Sequence, residues 1–350
     1  MAPAGLGWSG LLRDATIVAA AALATAALTG GVRRWLLRRQ VLDRPNERSS
    51  HKAPTPRGGG IAVLAAVASA GGVLIALGWL APLPAAVLLA LGLGLAALSF
   101  IDDLRGLPAF SRLLAHAVAA AAGVALLLDP ARPFAQGLLP PWLDAAAAFV
   151  TWLWFLNLFN FMDGIDGIAG SETLAIAAGA TALGYGLAGA QSPFLLGLAI
   201  TGAALGFLAW NWHPARIFLG DVGSVPLGYL LGWLLLALAQ EGMWAAAVIL
   251  PLYYLADATI TILRRAARGE RVWEAHRSHF YQRAVQAGWS HAAVAGRVLA
   301  TGGALVGLSI AAETAPVLGH PWARWACLAA ASVLVAALLR WMATARPRRA

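Results

Sequence analysis

The sequence predicts an all-α fold, a polytopic transmembrane helical bundle whose polar loops gather the chemistry at one membrane face. Three observations carry that reading. Of the 350 residues, 60% are apolar and only 12% charged, whereas soluble domains carry about 25% charged residues. Too little charge remains to cover a water-facing surface, and the mean hydropathy is +0.72. Apolar runs of bilayer-spanning length recur along the chain, and the basic residues fall in alternate loops. A soluble enzyme, a disordered chain and a free-standing nucleic-acid binder are all at odds with this composition, despite the net charge of +9.

A spanning helix needs about 20 predominantly apolar residues. Such runs lie near residues 14–32, 58–80, 83–101, 113–128, 142–162, 169–188, 194–212, 222–240, 243–263, 293–311 and 322–342. That makes eleven spans, or ten if the short fourth run is discounted. The first run is followed by Arg33, Arg34, Arg38 and Arg39, a stop-transfer flank rather than a cleavage signature, so it is read as a retained helix. With the N-terminus outside, 22 of the 25 Lys and Arg residues fall on one side, in segments 33–57, 105–112, Arg216, 264–297 and the tail from Arg340. Only Arg13, Arg132 and Arg324 fall on the other. The positive-inside rule makes the basic side cytoplasmic, with the N-terminus periplasmic and the C-terminus cytoplasmic.

The longest polar stretches, 33–57 and 264–292, are too short for a separate domain, so residues 1–350 are read as one membrane domain with a motif-bearing core at about 40–290. The single cysteine, Cys327, excludes an internal disulfide and a thiolate metal cage. Nothing in the sequence fixes an oligomeric state, and a homodimer is compatible with it.

Five segments hold nearly all the informative polar residues, and all five fall on the cytoplasmic side. The first, Asp43 to Gly60, contains Lys52, the only lysine, then a Pro-stiffened turn and three glycines. Glycines before a helix let backbone N–H groups approach a phosphate, although a basic loop on lipid headgroups has the same composition. The second is Asp102-Asp103, followed by Arg105 and Arg112. Neighbouring side chains on a helix point about 100° apart, so the two acids should play different parts. They serve either a divalent metal and a phosphate or simply a solvated helix end.

The third runs Asn157-Leu-Phe-Asn160-Phe-Met-Asp163-Gly-Ile-Asp166-Gly. A continuous helix would turn Asn157 and Asp166 to opposite faces, so Gly164 and Gly167 are expected to break it and bring the carboxylates onto a loop. Polar side chains at this depth are costly and usually functional. The fourth runs Asn211-Trp-His-Pro-Ala-Arg216-Ile-Phe218-Leu-Gly220-Asp221-Val-Gly-Ser224. Asp221 suits a hard cation, Phe218 could stack on a nucleobase, and Ser224 has the chemistry of a helix cap. The fifth surrounds His276-Arg277-Ser278-His279. The spacing would put both histidines on one face of a short helix. A zinc pair lacks a matching third ligand there, and the arginines favour an anion. Asp257 reads as a partner for Arg264 or Arg265.

Taken together, Asp102-Asp103, the NxxNxxDGIDGIAG run from Asn157 to Gly170, IFLGDVGS at 217–224 and the HRSH loop closely resemble one family. It is the polyprenyl-phosphate N-acetylhexosamine-1-phosphate transferases of glycosyltransferase family 4, which include the phospho-N-acetylmuramoyl-pentapeptide transferases. The resemblance covers roughly residues 40–290 in the family's motif order. It implies a bacterial inner-membrane enzyme that moves a sugar-1-phosphate from a UDP-N-acetylhexosamine to undecaprenyl phosphate, with Mg²⁺ or Mn²⁺, UMP leaving. It further implies Asp221 as main metal ligand with Asn160 beside it, and Asp102, supported by Asp103, at the lipid phosphate. Asp163, Asp166, Asn211 and Phe218 match positions near the uridine. Asn157 belongs to the same substrate-binding run, and His276, Arg277 and His279 match the loop on the diphosphate and sugar. Lys52 and Arg112 would add positive charge.

The last motif departs from the histidine triplet of the muramoyl-pentapeptide enzymes and looks more like initiating transferases of O-antigen and surface polysaccharide. That leaves the peptide-bearing donor as the alternative substrate. A transporter is the alternative class, but it should carry its charges near the bilayer midplane. Here, Asp257 apart, the conspicuous acids sit at span ends.

Overall fold

A computed structural model describes residues 8–43, 53–186, 191–272 and 276–344. Its helices are α1 Trp8–Arg38, α2 Gly60–Ala76, α3 Pro82–Arg105, α4 Ala109–Leu127, α5 Pro141–Phe161, α6 Ile168–Gly186 and α7 Gln191–Asn211. They continue with α8 Asp221–Gln240, α9 Trp244–Ile249, α10 Leu252–Ala267, α11 Phe280–Gln286, α12 His291–Thr314 and α13 Ala323–Thr344. Two-residue strands, β1 Leu42–Asp43 and β2 Thr55–Pro56, pair antiparallel and bring the two ends of the first polar loop together. The middle of that loop, with Lys52, lies outside the described residues.

Local sequence sets the boundaries. Pro82 and Pro141 stand in the first turns of α3 and α5, where the missing N–H costs nothing. Gly106, at φ +66°, ends α3 by donating its N–H to Asp102 O at 2.8 Å, a left-handed stop that glycine adopts without strain. Ser290 caps α12, its Oγ accepting from Ala293 N at 3.1 Å.

The chain is an all-α, multi-pass membrane protein. Eight helices among the described residues are long and apolar enough to cross a bilayer on their own. Against the eleven expected runs, α2 has only 17 residues, and α6 carries a buried Ser171-Glu172-Thr173 stretch. The expected ninth span is two helices: Pro251 interrupts it between α9 and α10, because a proline offers no N–H to the preceding turn and its ring crowds that turn's carbonyl. The bundle differs from a soluble one in being apolar outside as well as inside. In α8 the most apolar 18-residue window is 94% buried, whereas in α1 it is 17%. Leu23, Val118, Val150 and Val333 stand out to the lipid.

Successive helices reverse direction, so one end of the bundle collects the C-termini of α1, α3, α5 and α7 and the N-termini of α2, α4, α6, α8 and α12. Arg33 of α1 donates to Arg216 O beyond α7 at 3.1 Å, and Gly167 before α6 donates to Asn211 at 2.9 Å. The other end is tied by Arg132 to Glu241 at 2.5 Å and Arg324 to Glu313 at 2.7 Å. At the first end, α2 and α8 cross backbone to backbone: a Cβ on Gly60 would run into Gly223. Gly60→Ala should therefore overpack this crossing by about 1–3 kcal/mol and lower the thermal unfolding midpoint in detergent. Gly72→Ala, in the same helix with open space around it, should leave the midpoint unchanged or raise it, since alanine is the better helix former.

Candidate active site

Asp221 opens α8 through a backbone construction that the glycines permit. Gly220 takes φ +73° to turn the loop into the helix. The loop is clamped to the segment before α2: Phe218 N donates to Pro56 O at 2.8 Å, and Phe218 O accepts from Gly58 and Gly59 at 3.1 and 2.8 Å. Gly60 N adds a bond to Leu219 O at 2.9 Å. The clamp places Arg57 against Asp221, Nη2 to Oδ1 at 2.5 Å, and within 3.4 Å of Asp103. From α4, Arg112 meets Asp102 at 3.0 Å and the second oxygen of Asp221 at 3.8 Å. Asp102 also accepts from Leu107 N at 2.6 Å. Three carboxylates and two guanidiniums thus share one patch, and the adjacent acids do face different arginines. Burial works against the charge on Arg57, but Asp221 and Asp103 outweigh it and hold the guanidinium more firmly protonated than usual.

The Asn-Asp run lies beside this patch. On α5, Asn157 Oδ1 meets His116 Nδ1 at 2.9 Å, and Asn160 Oδ1 accepts from Ser224 Oγ at 2.6 Å. Ser224 is thus a tether for Asn160 rather than the helix cap its residue type suggested; the N-cap position is Gly220. The helix stops at Phe161, and Gly167 at φ +78° carries the chain into α6, as the glycines predicted. Asp163 and Asp166 stand on the turn between and part company. Burial and the negative charge of Asp221 push the Asp163 carboxyl up to about 7.

Asp166 turns into a separate cleft of about 550 Å³ lined also by Thr55, Phe218, Trp289 and His291. There it accepts from His213 Nδ1 at 2.6 Å and Ala215 N at 3.1 Å, and lies 3.2 Å from His291 Nδ1. Burial alone would raise its carboxyl, but the bonds to His291 and His213 win and hold it below the usual range. Asn211 spans the wall of this region, accepting from Gly167 N and donating to Ile217 O, both at 2.9 Å.

The HRSH loop is not a helix carrying two histidines on one face. His276 precedes the helix in irregular backbone and His279 caps α11, with Gln282 completing a capping box. A bend brings their rings to 4.7 Å between centroids. Burial, then the neighbouring His279 and Arg265, lower His276 to about 4, so it is neutral at pH 7. Arg277 presents its carbonyl to Gln286 at 2.8 Å. Asp257 does not pair with Arg264 or Arg265. It accepts from Phe280 N at 3.0 Å, Tyr281 N at 3.3 Å, Tyr253 Oη and Thr261 Oγ1 at 3.3 Å, and meets His279 Nδ1 at 3.2 Å. One buried carboxylate therefore anchors the start of α11 and orients His279, whose Nε2 is buried with no partner among the described residues. Tyr281 in turn packs on Gly164 and bonds Phe161 O at 3.4 Å, seating the loop on the Asp163 turn.

Sequence reasoning passed over Arg57 within its glycine-rich loop, and over His116, His213 and His291. Only the run Arg57-Gly-Gly-Gly60 offered a local signal. Hard oxygen donors (Asp221, Asn160 and the neighbouring acids) could hold a cation at the first patch, and Asp166, His213 and His291 form a second group within ligating distance of one another.

Asp257→Ala leaves several buried donors without an acceptor, at about 1–3 kcal/mol for each such group. Deuterium exchange should accelerate across residues 276–286 and stay at wild-type rates in α8. Unchanged protection of the loop would contradict the anchoring role.

The profile of Glycosyl transferase family 4 matches residues 85–239. A decaprenyl-phosphate N-acetylglucosaminephosphotransferase of Mycolicibacterium smegmatis is 31% identical, covering 80% of this chain and 77% of that protein. A phospho-N-acetylmuramoyl-pentapeptide-transferase of Rhodopseudomonas palustris is 31% identical over 76% of this chain and 82% of its own length. A probable undecaprenyl-phosphate N-acetylglucosaminyl 1-phosphate transferase of Bacillus subtilis is 28% identical over 75% of both. With relatives at this identity over most of their length, and the motif-bearing segments gathered at one end of a membrane bundle, the chain belongs to glycosyl transferase family 4.

Proposed function

We propose that this protein transfers an N-acetylhexosamine-1-phosphate from a UDP-sugar to undecaprenyl phosphate, releasing UMP and starting an O-antigen or another cell-surface polysaccharide. The observation that carries the reading is the patch of Asp221, Asp102 and Asp103 laced by Arg57 and Arg112. It sits at one end of a membrane bundle, where a lipid phosphate and a water-soluble donor can meet. The basic loops make this end cytoplasmic, with eleven crossings and a periplasmic N-terminus. An apolar cleft of about 480 Å³ along α5, α8 and α9, lined by Trp152, Phe155 and Leu235, suits a prenyl chain.

The acceptor phosphate has a second pKa near 6, so at neutral pH it is already a nucleophile and needs little help from a base. Its oxygen attacks the β-phosphorus of the donor, the bond from that phosphorus to the bridging oxygen breaks, and UMP leaves with the electron pair. The principal barrier is bringing an anion up to a diphosphate. Arg57 and Arg112 supply positive charge at the patch, and charge placed where it develops is a large share of such catalysis. Asp102, held by Arg112 and Leu107 N, orients the acceptor phosphate, with Asp103 supporting Arg57. Attack by Asp102 itself, through an aspartyl phosphate, is the competing route.

Asp221 and Asn160 fit a hard cation. Both offer oxygen ligands of the kind Mg²⁺ prefers, and Ser224, one helical turn from Asp221, brings Asn160 to the same face of α8. When bound there, Mg²⁺ or Mn²⁺ would neutralise the diphosphate and the departing UMP. Asp166, Asn211 and Phe218 receive the uridine, Asp163 sits between the uridine and the patch, and His276, Arg277 and His279 close on the diphosphate and sugar. Lys52 and Asn157 complete the substrate contacts. The family relative from Rhodopseudomonas keeps a peptide-bearing muramoyl donor in view, and the HRSH sequence argues against it.

UMP release by purified protein with undecaprenyl phosphate, Mg²⁺ and a panel of UDP-sugars tests the reading. At least one UDP-N-acetylhexosamine should support turnover, and Asp221→Ala should reduce it by about 10²-fold or more. No release with any sugar would overturn it. Retained turnover in Asp102→Ala would exclude a covalent intermediate on that residue.

A further inference from the structure

We propose that Asp166, His213 and His291 form a binding site for a divalent transition metal of the zinc class, separate from the oxygen-lined patch at Asp221. The three side chains come from different parts of the chain: the turn before α6, the loop after α7 and the first residue of α12. Their ligating atoms all lie within 4.8 Å of one another. Two imidazoles and a carboxylate are the donor set that zinc-class ions prefer over Mg²⁺.

The spacing is close to that of a loaded site. Ligands at 2.0–2.1 Å around a tetrahedral ion stand about 3.3 Å apart, and His291 Nδ1 is already 3.2 Å from Asp166 Oδ1. His213 Nδ1, at 2.6 Å from Oδ2, has to back away by less than an ångström. Its side chain is 37% exposed, so it is free to move while the other two stay fixed in buried positions. His291 Nδ1 faces both the Asp166 carboxylate at 3.2 Å and the Asp166 backbone N–H at 3.3 Å, so a metal bound there would take the place of the proton that this nitrogen shares with the carboxylate, and uptake would release it. The cleft of about 550 Å³ leaves the fourth coordination position open to water or another small ligand. No arginine is bonded to Asp166 among the described residues, unlike the acids of the first patch.

The site itself is independent of the proposed reaction. One consequence does rest on that reading: Asp166 and Phe218 were assigned to the uridine, so metal and donor would exclude each other from the cleft.

Tag-free full-length protein in detergent, stripped with chelator, should take up one Co²⁺ with the visible absorption of a four-coordinate ion, and Zn²⁺ should displace it. His213→Ala and His291→Asn should each weaken uptake by at least about tenfold, since even changes behind the ligands cost 10–100-fold. A monodisperse elution profile would show that each variant is folded, and the exposed His213 is the safer substitution. Absence of uptake by the wild type, or uptake unaffected by His213→Ala, would overturn the site. If Co²⁺ binds as described but excess UDP does not displace it, the assignment of the uridine to this cleft fails and the metal site stands.

Discussion

The ion pair between Arg57 and Asp221, at 2.5 Å, joins residues 164 positions apart in the chain. Everything else at this end of the bundle is arranged around that meeting. Four backbone hydrogen bonds tie residues 56–60 to residues 218 and 219, and the Gly60–Gly223 contact lets α2 and α8 approach until the pair can form. The pair's own contribution to stability is modest, because Arg57 is 37% exposed and exposed ion pairs are worth about 0–1 kcal/mol. Its importance is positional. It presents one oxygen of Asp221 to Arg57 and leaves the other toward Arg112, so that the carboxylate stands between two segments that carry positive charge.

The bilayer makes such concentration necessary. Within the hydrocarbon every polar group must find a partner inside the protein. Several interior hydroxyls accordingly bond back to their own helices, as Thr181 does to Ala177 O at 2.6 Å and Thr201 to Gly197 O at 2.8 Å. Trp152 donates to Tyr229 O at 2.9 Å. Charges are consigned to the two ends, and the ends differ. At one, acids and bases are mostly matched across loops, as in Arg132–Glu241 and Arg324–Glu313. At the other, more carboxylates than guanidiniums share a patch, and that imbalance marks the chemistry.

Much of this was legible in the sequence because it is local. Glycines at 164 and 167 announced the break after α5, and adjacent Asp102 and Asp103 had to diverge because helical geometry leaves them no alternative. Pro251 was equally visible, yet a run of apolar residues masked its effect until the two short helices appeared. What stayed hidden depends on distance along the chain. Asp257 reads from the sequence as a partner of neighbouring arginines, whereas three of its five partners lie at and just before the start of α11, 22 to 24 residues onward, and the other two, Tyr253 and Thr261, lie on its own helix. His213 and His291 meet Asp166 across 47 and 125 positions, and no local pattern distinguishes either from a histidine satisfied by its surroundings. The HRSH spacing suggested a helix, but a capping residue and a bend produce the same proximity.

In the proposed reaction the bond broken lies between the two phosphates of the donor, so that phosphorus travels with the sugar. Donor labelled at the β-phosphorus, incubated with the protein, undecaprenyl phosphate and Mg²⁺, tests this directly after extraction of the lipid. Label should appear in the lipid phase as a diphosphate, with unlabelled UMP in the aqueous phase. Sugar in the lipid with the β-phosphorus left behind as UDP would contradict that reaction.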